Sequence, residues 1–179
     1  THDWHTLAWV SRATIQLMNF ADASLGPSLD HEDAVSGWHF STTGTLIAVR
    51  TAETINGNFA GVVKLWDYMS GESRHTFAHG DYISTMAFST DWQIAATASS
   101  QGEITLWDAT TGEALRTLRG HTDMVLSLAF GPAAELLASA SADGTIRVWD
   151  IDNGIEIITL SRHASPAVIA EFSPEGGVL

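Results

Sequence analysis

The stretch that decides the fold runs from Gly120 to Asp150 and reads GHTDMVLSLAFGPAAELLASASADGTIRVWD. It opens with Gly-His, contains a turn at Asp143-Gly144 and closes with Trp-Asp. Between these markers lie short runs of aliphatic and small residues, separated by Gly, Pro and Asp. Such runs predict β-strands joined by tight turns. Because no run repeats apolar residues at helical spacing, we expect little or no helix.

The same markers recur along the rest of the chain. Trp-Asp pairs begin at Trp66, Trp107 and Trp149, at nearly equal intervals. A histidine is followed nine residues later by a phenylalanine four times: His31 and Phe40, His79 and Phe88, His121 and Phe130, His163 and Phe172. Two independent markers in one register indicate an internal repeat. Four short strands in each period of about 42 residues are typical of a propeller blade.

The unit from Gly120 to Asp150 resembles the WD (WD40) repeat of β-propellers in its Gly-His, its Asp-Gly turn and its final Trp-Asp. The unit from His79 to Asp108 is similar, with Ala-His-Gly in place of Gly-His. The unit from His31 matches with extra residues at Ala52–Ala60, where Gly and Asn predict a surface loop. The resemblance implies an all-β propeller of four-stranded antiparallel blades over residues 1–179.

Strand counting predicts three complete blades, at about residues 25–67, 72–108 and 113–150, and two complementary half-blades, at 1–19 and 156–179. An unpaired half-blade would expose a bare sheet edge. The halves can pair within one chain as a closed four-blade ring, or two copies can form a homodimer that closes an eight-blade ring. The chain can also be part of a longer propeller. Since rings of the family usually have about seven blades, the resemblance favours the last two arrangements.

A single blade buries its faces by stacking on its neighbours. We therefore expect the four repeat-spaced phenylalanines, together with Trp38 and Leu128, to form an inter-blade core. The alternative is an aromatic box that binds a ligand, but aromatic residues at repeat spacing usually pack against one another.

The resemblance also implies a structural tetrad, a hydrogen-bonded set of four side chains within a blade. In the family, Asp accepts from His, His engages a hydroxyl, and the hydroxyl accepts from the Trp indole. The matching residues of the third unit are His121, Ser139, Asp143 and Trp149, with Ser141 as the weaker candidate for the hydroxyl. Those of the second unit are His79, Thr97 and Trp107, with Gln101 in place of Asp.

The remaining units depart from this pattern. The first unit has His31 and Trp66, but Val49 stands at the hydroxyl position. The N-terminal stretch has Met18 where a Trp would be and Arg12 near the Asp position, so we expect no tetrad there. We predict that rigidity falls from the third blade, through the second, to the first and the composite blade.

Composition excludes several classes of function. Eight Lys and Arg against 21 Asp and Glu give a net charge of −13, whereas nucleic acids and anionic membranes select clustered basic residues. The chain has no cysteine for disulfides or thiolate metal sites. No apolar run approaches the roughly 18 residues that span a bilayer, and no signal segment is apparent. We expect a cytoplasmic protein, and the start at Thr1 predicts a mature form or a fragment.

Catalysis and metal binding are the weaker interpretations. A Ser, a His and an Asp within one unit also suggest a nucleophilic hydrolase. The tetrad explains in addition why the pattern recurs and includes Trp, and no G-x-S-x-G motif is present. His2 and His5 are a weak metal signal that is more typical of a frayed terminus or a tag. We therefore expect no enzyme, no catalytic residue, no metal site and no cofactor.

The resemblance implies a protein-interaction scaffold that docks a peptide or domain on one propeller face. In the family this face carries the hairpin turns and the loop before the first strand. The positions that map there are Ala34, Tyr82, Met124, Pro166, Ser100 and Ala142, together with the Ala52–Ala60 insertion. An aromatic anchor and an adaptable thioether favour Tyr82 and Met124 as contacts, although these two side chains can also simply cover the channel mouth.

The acidic balance favours a basic or neutral protein partner, through steering. The alternative function is a small-molecule or carbohydrate sensor, for which a polar-lined pocket at Trp92 or Trp9 would be the signal. A hydrolase ranks last.

Overall fold

The structure is a computed structural model that describes residues 6–19, 21–31, 33–41, 45–55, 57–161 and 166–173. These residues form fifteen β-strands and contain no helix, so none of them belongs to a helix that could span a membrane. The strands are β1 (Thr6–Ser11), β2 (Thr14–Asn19), β3 (Leu25–Asp30), β4 (Gly37–Phe40), β5 (Leu46–Ile55), β6 (Asn58–Asp67), β7 (Glu72–His79), β8 (Ile83–Phe88), β9 (Ile94–Ser99), β10 (Ile104–Asp108), β11 (Ala114–Leu118), β12 (Val125–Phe130), β13 (Leu136–Ser141), β14 (Ile146–Asp150) and β15 (Ile155–Leu160).

The strands form four antiparallel sheets in which neighbours follow chain order. Sheet 1 contains β1–β3, sheet 2 contains β4–β7, sheet 3 contains β8–β11 and sheet 4 contains β12–β15. The predicted all-β fold of four-stranded antiparallel sheets is confirmed, with sheet 1 having three strands. The chain divides into two compact units, Thr1–Tyr82 with sheets 1 and 2, and Ile83–Leu179 with sheets 3 and 4.

The sheets begin and end at other residues than the predicted blades. The predicted blade at 113–150 opens with β11, but β11 pairs with β10 of the preceding sheet. The reason is the short turn between them, where Asp108 Oδ1 accepts from the N–H of Thr110 at 2.8 Å and Gly112 has a φ of 81°. Each outer strand therefore folds back on the strand before it.

The predicted half-blades change accordingly. Sheet 1 adds β3 to the two strands predicted within residues 1–19, because β3 pairs with β2. At the other end, β15 is the outer strand of sheet 4, and the described residues 166–173 form no strand.

The Ala52–Ala60 insertion is part of a hairpin, so the prediction of a surface loop there was wrong. Its residues extend β5 and β6 to ten residues each, paired as far as Ile55 opposite Asn58. Of the Gly and Asn residues that predicted a loop, Gly57 lies in the turn with a φ of 80°, and Asn58 is the first residue of β6. Glycine adopts this left-handed conformation without the steric cost that a β-carbon brings.

Within each unit, one sheet packs on the next. In the first unit, Ile15, Leu17 and Leu29 of sheet 1 cluster with Ile47 and Val49 of sheet 2. In the second unit, the equivalent residues of sheet 3 are Ile104, Leu106 and Leu118. Together with Ala96 and Ala98 they cluster with Leu128, Leu137 and Trp149 of sheet 4. The apolar core of each unit thus lies between neighbouring sheets.

The residues predicted for this core are buried to different extents. Leu128 is buried, and the four marker phenylalanines are half-buried, with Phe88 stacked on Trp92 at a ring distance of 4.2 Å. Trp38 is 40% exposed, so its assignment to the core was wrong. It stands at the position of Leu128, which is buried, and its indole is larger than that leucine side chain.

Candidate functional site

The structure brings together all four residues of the tetrad predicted for the third repeat. Ser139 Oγ lies 2.7 Å from His121 Nε2 and accepts a hydrogen bond of 2.8 Å from Trp149 Nε1. His121 Nδ1 lies 2.9 Å from Asp143 Oδ2. Because the indole can only donate, the serine hydrogen is free to donate to Nε2, which assigns the imidazole proton to Nδ1, facing the carboxylate. The buried polar side-chain atoms of these four residues all have partners, as a closed polar network requires.

Local hydrogen bonds fix the carboxylate of Asp143 at the end of this network. It accepts from the backbone N–H of Thr122 at 3.0 Å and from the hydroxyl of Thr145 at 2.6 Å. Burial alone would raise the pKa of Asp143, but the hydrogen bonds from Thr145, Thr122 and His121 hold it well below its usual value. Burial lowers the pKa of His121, and Asp143 opposes that shift. The tetrad therefore pairs a neutral imidazole with a charged carboxylate at neutral pH.

This geometry connects strands and does not present a nucleophile. Ser139 is fully buried, and both its oxygen and its hydrogen are engaged. Its two partners come from the loop before β12 and from β14. Among the described residues, no group of three or more metal-binding side chains is placed to hold an ion. The predicted weak metal signal at His2 and His5 lies outside the described residues.

The second repeat, from His79 to Asp108, shows part of the same hydrogen-bond pattern. Trp107 Nε1 donates to Thr97 Oγ1 at 2.7 Å, as Trp149 does to Ser139. Gln101, at the position of the missing carboxylate, is exposed, and its backbone N–H bonds to Ser99 Oγ. The third predicted member, His79, lies in the Thr1–Tyr82 unit, where it is buried and where burial lowers its pKa.

In the first repeat, which begins at His31, Val49 stands where the tetrad has its hydroxyl residue. It lies opposite Lys64, as Ser139 lies opposite Arg147. The rings of His31 and Trp66 meet edge to face at 5.3 Å, but both imidazole nitrogens and the indole nitrogen are buried without a hydrogen-bond partner. Burial, reinforced by Lys64, lowers the pKa of His31 to about 4.

Sequence reasoning missed the residue that replaces the tetrad carboxylate in this unit. Glu53 lies 22 residues after His31, the spacing that separates Asp143 from His121. It is buried, 2.8 Å from Lys64 Nζ, and accepts from Thr51 Oγ1 at 3.2 Å. The spacing was the available signal, but the insertion that follows concealed it. Lys64 thus pairs with Glu53, whereas in the third repeat the equivalent carboxylate, that of Asp143, bonds to His121.

A threonine in place of Val49 is expected to stabilise the first unit. Its hydroxyl would accept from Trp66 Nε1 and donate to His31, removing two unsatisfied buried groups. We expect the free energy of unfolding in urea to rise by about 1–2 kcal/mol. The control is Val63→Thr at another fully buried valine, where a new hydroxyl should destabilise the protein. Equal destabilisation by both variants would contradict this explanation of the first unit.

The residues predicted for docking are divided between the two compact units. In the second unit, Met124 and Ala142 are half-buried and adjacent, since Met124 O accepts from Ala142 N at 2.9 Å. Pro166 is exposed next to Ala167, whose N–H bonds to Ser141 O at 3.0 Å.

The turn that carries Ser100 meets the loop before β12 closely. A β-carbon at Gly102 would lie 2.7 Å from His121 O and 2.9 Å from Asp123 O. Ser100, Met124, Ala142 and Pro166 therefore gather at one end of sheets 3 and 4.

The other predicted contacts belong to the first unit. Ala34 is exposed and Tyr82 is 36% exposed. The loop that carries Tyr82 lies against the extended hairpin, because Asp81 O accepts from Gly61 N at 3.0 Å. On that hairpin Phe59 is 55% exposed, which adds an aromatic side chain that the sequence did not single out.

The two tryptophans whose pocket would favour a sensor lie in different surroundings. Trp92 is buried and stacks on Phe88, and Trp9 is 41% exposed on an open face of sheet 1.

These features define a repeat protein of antiparallel sheets that pack face to face within each unit, with one complete Trp-Ser-His-Asp network in sheet 4 and a Trp-Thr bond in sheet 3. The family model of the WD domain, G-beta repeat, matches residues 71–108 and 112–150. These two segments are WD repeats, and the resemblance predicted from the sequence is confirmed. Proteins with WD repeats generally serve as protein-interaction scaffolds and are generally not catalytic.

Two curated proteins of Arabidopsis thaliana are similar to this chain. WD repeat-containing protein 55 is 34% identical over 84 residues, which are 46% of this chain and 22% of that protein. Periodic tryptophan protein 2 is 27% identical over 90 residues, which are 50% of this chain and 10% of that protein. The matched part of the chain thus spans less than a quarter of the length of either relative.

Proposed function

We propose that this protein is a non-catalytic scaffold that docks a protein or peptide on the sheet ends carrying the tetrad histidine loop and the β13–β14 turn. The observation that carries the proposal is the contact between the loops that bear Ser100, Met124, Ala142 and Pro166. Hydrogen bonds and close backbone contacts hold the loops that carry these four residues. A rigid loop loses little conformational entropy when it binds, which favours recognition at this end.

The tetrad supports the same proposal by fixing the loop before β12. His121 and Thr122 both bond to Asp143 of the β13–β14 turn, so the two elements that would carry the contacts share one anchor. Met124 follows closely in the chain and presents a flexible thioether at the edge of this anchored surface. In the first unit, Tyr82 supplies an aromatic contact of the kind that dominates binding energy at interfaces.

Charge favours a basic or neutral partner. The net charge of −13 attracts cationic peptides over distances comparable to the Debye length, and it disfavours nucleic acids and anionic membranes. Near the proposed contacts, Asp81 Oδ1 accepts from Tyr82 N and Asp123 Oδ1 accepts from Met124 N, each at 2.7 Å. A cytoplasmic location stays a prediction.

Binding to a displayed peptide library tests the proposal. Peptides selected on the wild-type chain are titrated against Tyr82→Ala, Met124→Ala and the double variant. We expect enrichment of basic or neutral peptides. We also expect Kd to rise by about tenfold or more for at least one single variant, because a truncated anchor costs about 1–2 kcal/mol or more.

Met69→Ala is the matched control, since Met69 is 67% exposed in the β6–β7 turn at the opposite end of its sheet. Peptide binding that is unchanged in both docking variants, or that depends on Met69, would exclude both proposed contacts, Met124 in the second unit and Tyr82 in the first.

A further inference from the structure

A buried histidine of the Thr1–Tyr82 unit has no hydrogen-bond partner for its ring. His31 lies between β3 and β4 and is 8% exposed. Both its ring nitrogens are enclosed, and no group in the described part of the chain bonds to either of them. Its neighbour is Trp66, whose ring meets the imidazole edge to face at 5.3 Å. The site therefore offers no acceptor to a second proton on the imidazole.

Two charged side chains share the buried side of His31. Glu53 on β5 favours protonation of the imidazole, and Lys64 on β6 opposes it. These two side chains are paired, because Lys64 Nζ lies 2.8 Å from Glu53 Oε1 and Thr51 Oγ1 donates to the same oxygen at 3.2 Å. The side chains of Lys64 and Glu53 are 19% and 9% exposed, and opposite charges attract more strongly where burial excludes water. Lys64 therefore holds the buried carboxylate that a charged His31 would need.

The other charged groups around His31 are exposed. Asp30 directly precedes it, and Asp33 follows two residues later. Arg12 belongs to the β1–β2 turn, which accepts a hydrogen bond from the backbone N–H of His31. Water and salt screen charges at exposed positions. None of these three residues replaces Glu53 as a buried counter-ion.

Acid therefore acts on folding through His31. Burial is the largest cause that lowers its pKa, Lys64 adds to the shift, Glu53 and Asp30 oppose it, and the pKa is about 4 where the usual value is 6.5. In the unfolded chain the ring takes up a proton as the pH falls below 6.5, whereas in the folded chain it does so only near pH 4. The stability that depends on His31 is thus fully present above pH 6.5 and is lost as the pH falls toward 4.

The third repeat gives its histidine the partner that His31 lacks. His121 is 7% exposed, much like His31, but its Nδ1 lies 2.9 Å from Asp143 Oδ2. Burial lowers the pKa of His121 as well, and there the hydrogen bond to Asp143 opposes the shift. The nearby Arg147 pairs instead with Glu156. Asp143 therefore stays with its histidine, as Glu53 does not.

We propose that His31 triggers an acid-sensitive opening of sheets 1 and 2, and that Lys64 makes this trigger work by holding Glu53. A proton added to the folded imidazole lies beside an ammonium group and away from water, while the buried carboxylate is already paired. Opening the two sheets lets water solvate the imidazolium, so the proton favours the open state. In the Ile83–Leu179 unit, Asp143 already balances the charge of His121.

Hydrogen exchange of the whole chain, read by mass spectrometry at about pH 7.5 and about pH 5, measures the opening of each sheet. Both conditions lie above the ordinary pKa values of carboxyl groups, so histidines dominate the difference. After correction for the intrinsic pH dependence of exchange, we expect the opening constant of the β5 and β6 amides to rise about tenfold or more in acid. We expect that of the β13 and β14 amides to change by about threefold or less.

Three variants separate His31 from the other titrating groups. Lys64→Met removes the ammonium group and leaves Glu53 to accept from the protonated imidazole, whereas Lys64→Arg keeps the charge and is the matched control. We expect acid to open β5 and β6 by about threefold or less in Lys64→Met, and as in the wild-type chain in Lys64→Arg. His31→Phe removes the titrating ring and keeps an aromatic side chain in its place, so we expect the same loss of acid sensitivity. His39 and His79, whose pKa values are also lowered by loss of hydration, are unchanged in all three variants.

An equal acid effect on β5 and β6 in the wild-type chain, Lys64→Met and His31→Phe would overturn the proposal. So would an acid effect on β13 and β14 as large as that on β5 and β6. NMR titration of the His31 ring protons gives a readout that needs no variant to fold. We expect a midpoint below about pH 5 that moves up by about one pH unit or more in Lys64→Met and stays in place in Lys64→Arg. A wild-type midpoint at the usual 6.5 would also overturn the proposal.

Discussion

Ser139→Ala is expected to lower the free energy of unfolding by about 2–4 kcal/mol. The substitution removes the one oxygen that accepts from Trp149 Nε1 and engages His121 Nε2. Both partners are buried, with Trp149 2% and His121 7% exposed, so water does not replace the lost bonds. Each unsatisfied buried group costs about 1–3 kcal/mol. Urea unfolding followed by tryptophan fluorescence measures the change.

Ser139→Thr is the matched control. Thr97 stands at the same register position in sheet 3 and accepts from Trp107 at 2.7 Å, so a threonine hydroxyl fits such a network. We expect Ser139→Thr to change stability by less than about 1 kcal/mol. If the two variants were equally stable, the network would not contribute as described. A hydrolase would instead lose turnover in both the alanine and the threonine variant at little cost in stability.

Gly102→Ala is expected to cost about 2–5 kcal/mol, for two separate reasons. Gly102 has a φ of 87°, which other residues adopt at a cost of about 1–2 kcal/mol. A β-carbon would also lie 2.7 Å from His121 O and 2.9 Å from Asp123 O. These atoms belong to the backbone of a loop that the tetrad holds, so relief requires displacing that loop, at about 1–3 kcal/mol.

Gly80→Ala separates this effect from the general effect of a methyl group. A β-carbon at Gly80 has no atom within 4 Å, and the residue is not in the left-handed region. We expect it to change the free energy of unfolding by no more than about 0.5 kcal/mol. If Gly102→Ala were tolerated as well as Gly80→Ala, the turn and the loop before β12 would not be in the contact described. Because Met124 lies on that loop, Gly102→Ala is also expected to weaken peptide binding.

The repeat markers predicted the tetrad but not the strand at which each sheet begins. The tetrad requires particular residue types at fixed spacings, here His121, Asp143 and Trp149, and both can be read directly from a sequence. A periodic pattern, in contrast, does not say at which strand a sheet begins. That choice depends on the hydrogen bonds of the turn: the backbone N–H groups of Thr110 and Thr111 donate to Asp108 Oδ1, and this turn returns β11 onto β10.

Other differences arise from partners that a single sequence does not reveal. The Gly and Asn residues around Gly57 are compatible with a loop or with a hairpin turn, and cross-strand pairing decides between them. Glu53 sits at the expected spacing, but Lys64 competes for its carboxylate. Trp38 stands at the position of the buried Leu128, so the sequence position alone does not show that the larger side chain is exposed.

Solvent exchange of the Trp149 indole N–H, followed by NMR, tests most directly whether the Ser-His-Asp set is a structural element of a rigid scaffold. We expect this proton to exchange as slowly as the β14 amides and to become fast in Ser139→Ala. The indole protons of Trp9 and Trp38, 41% and 40% exposed, are internal references for fast exchange. Exchange of the Trp149 proton at their rate in the wild-type chain would show that Ser139 does not hold the indole N–H in a closed network.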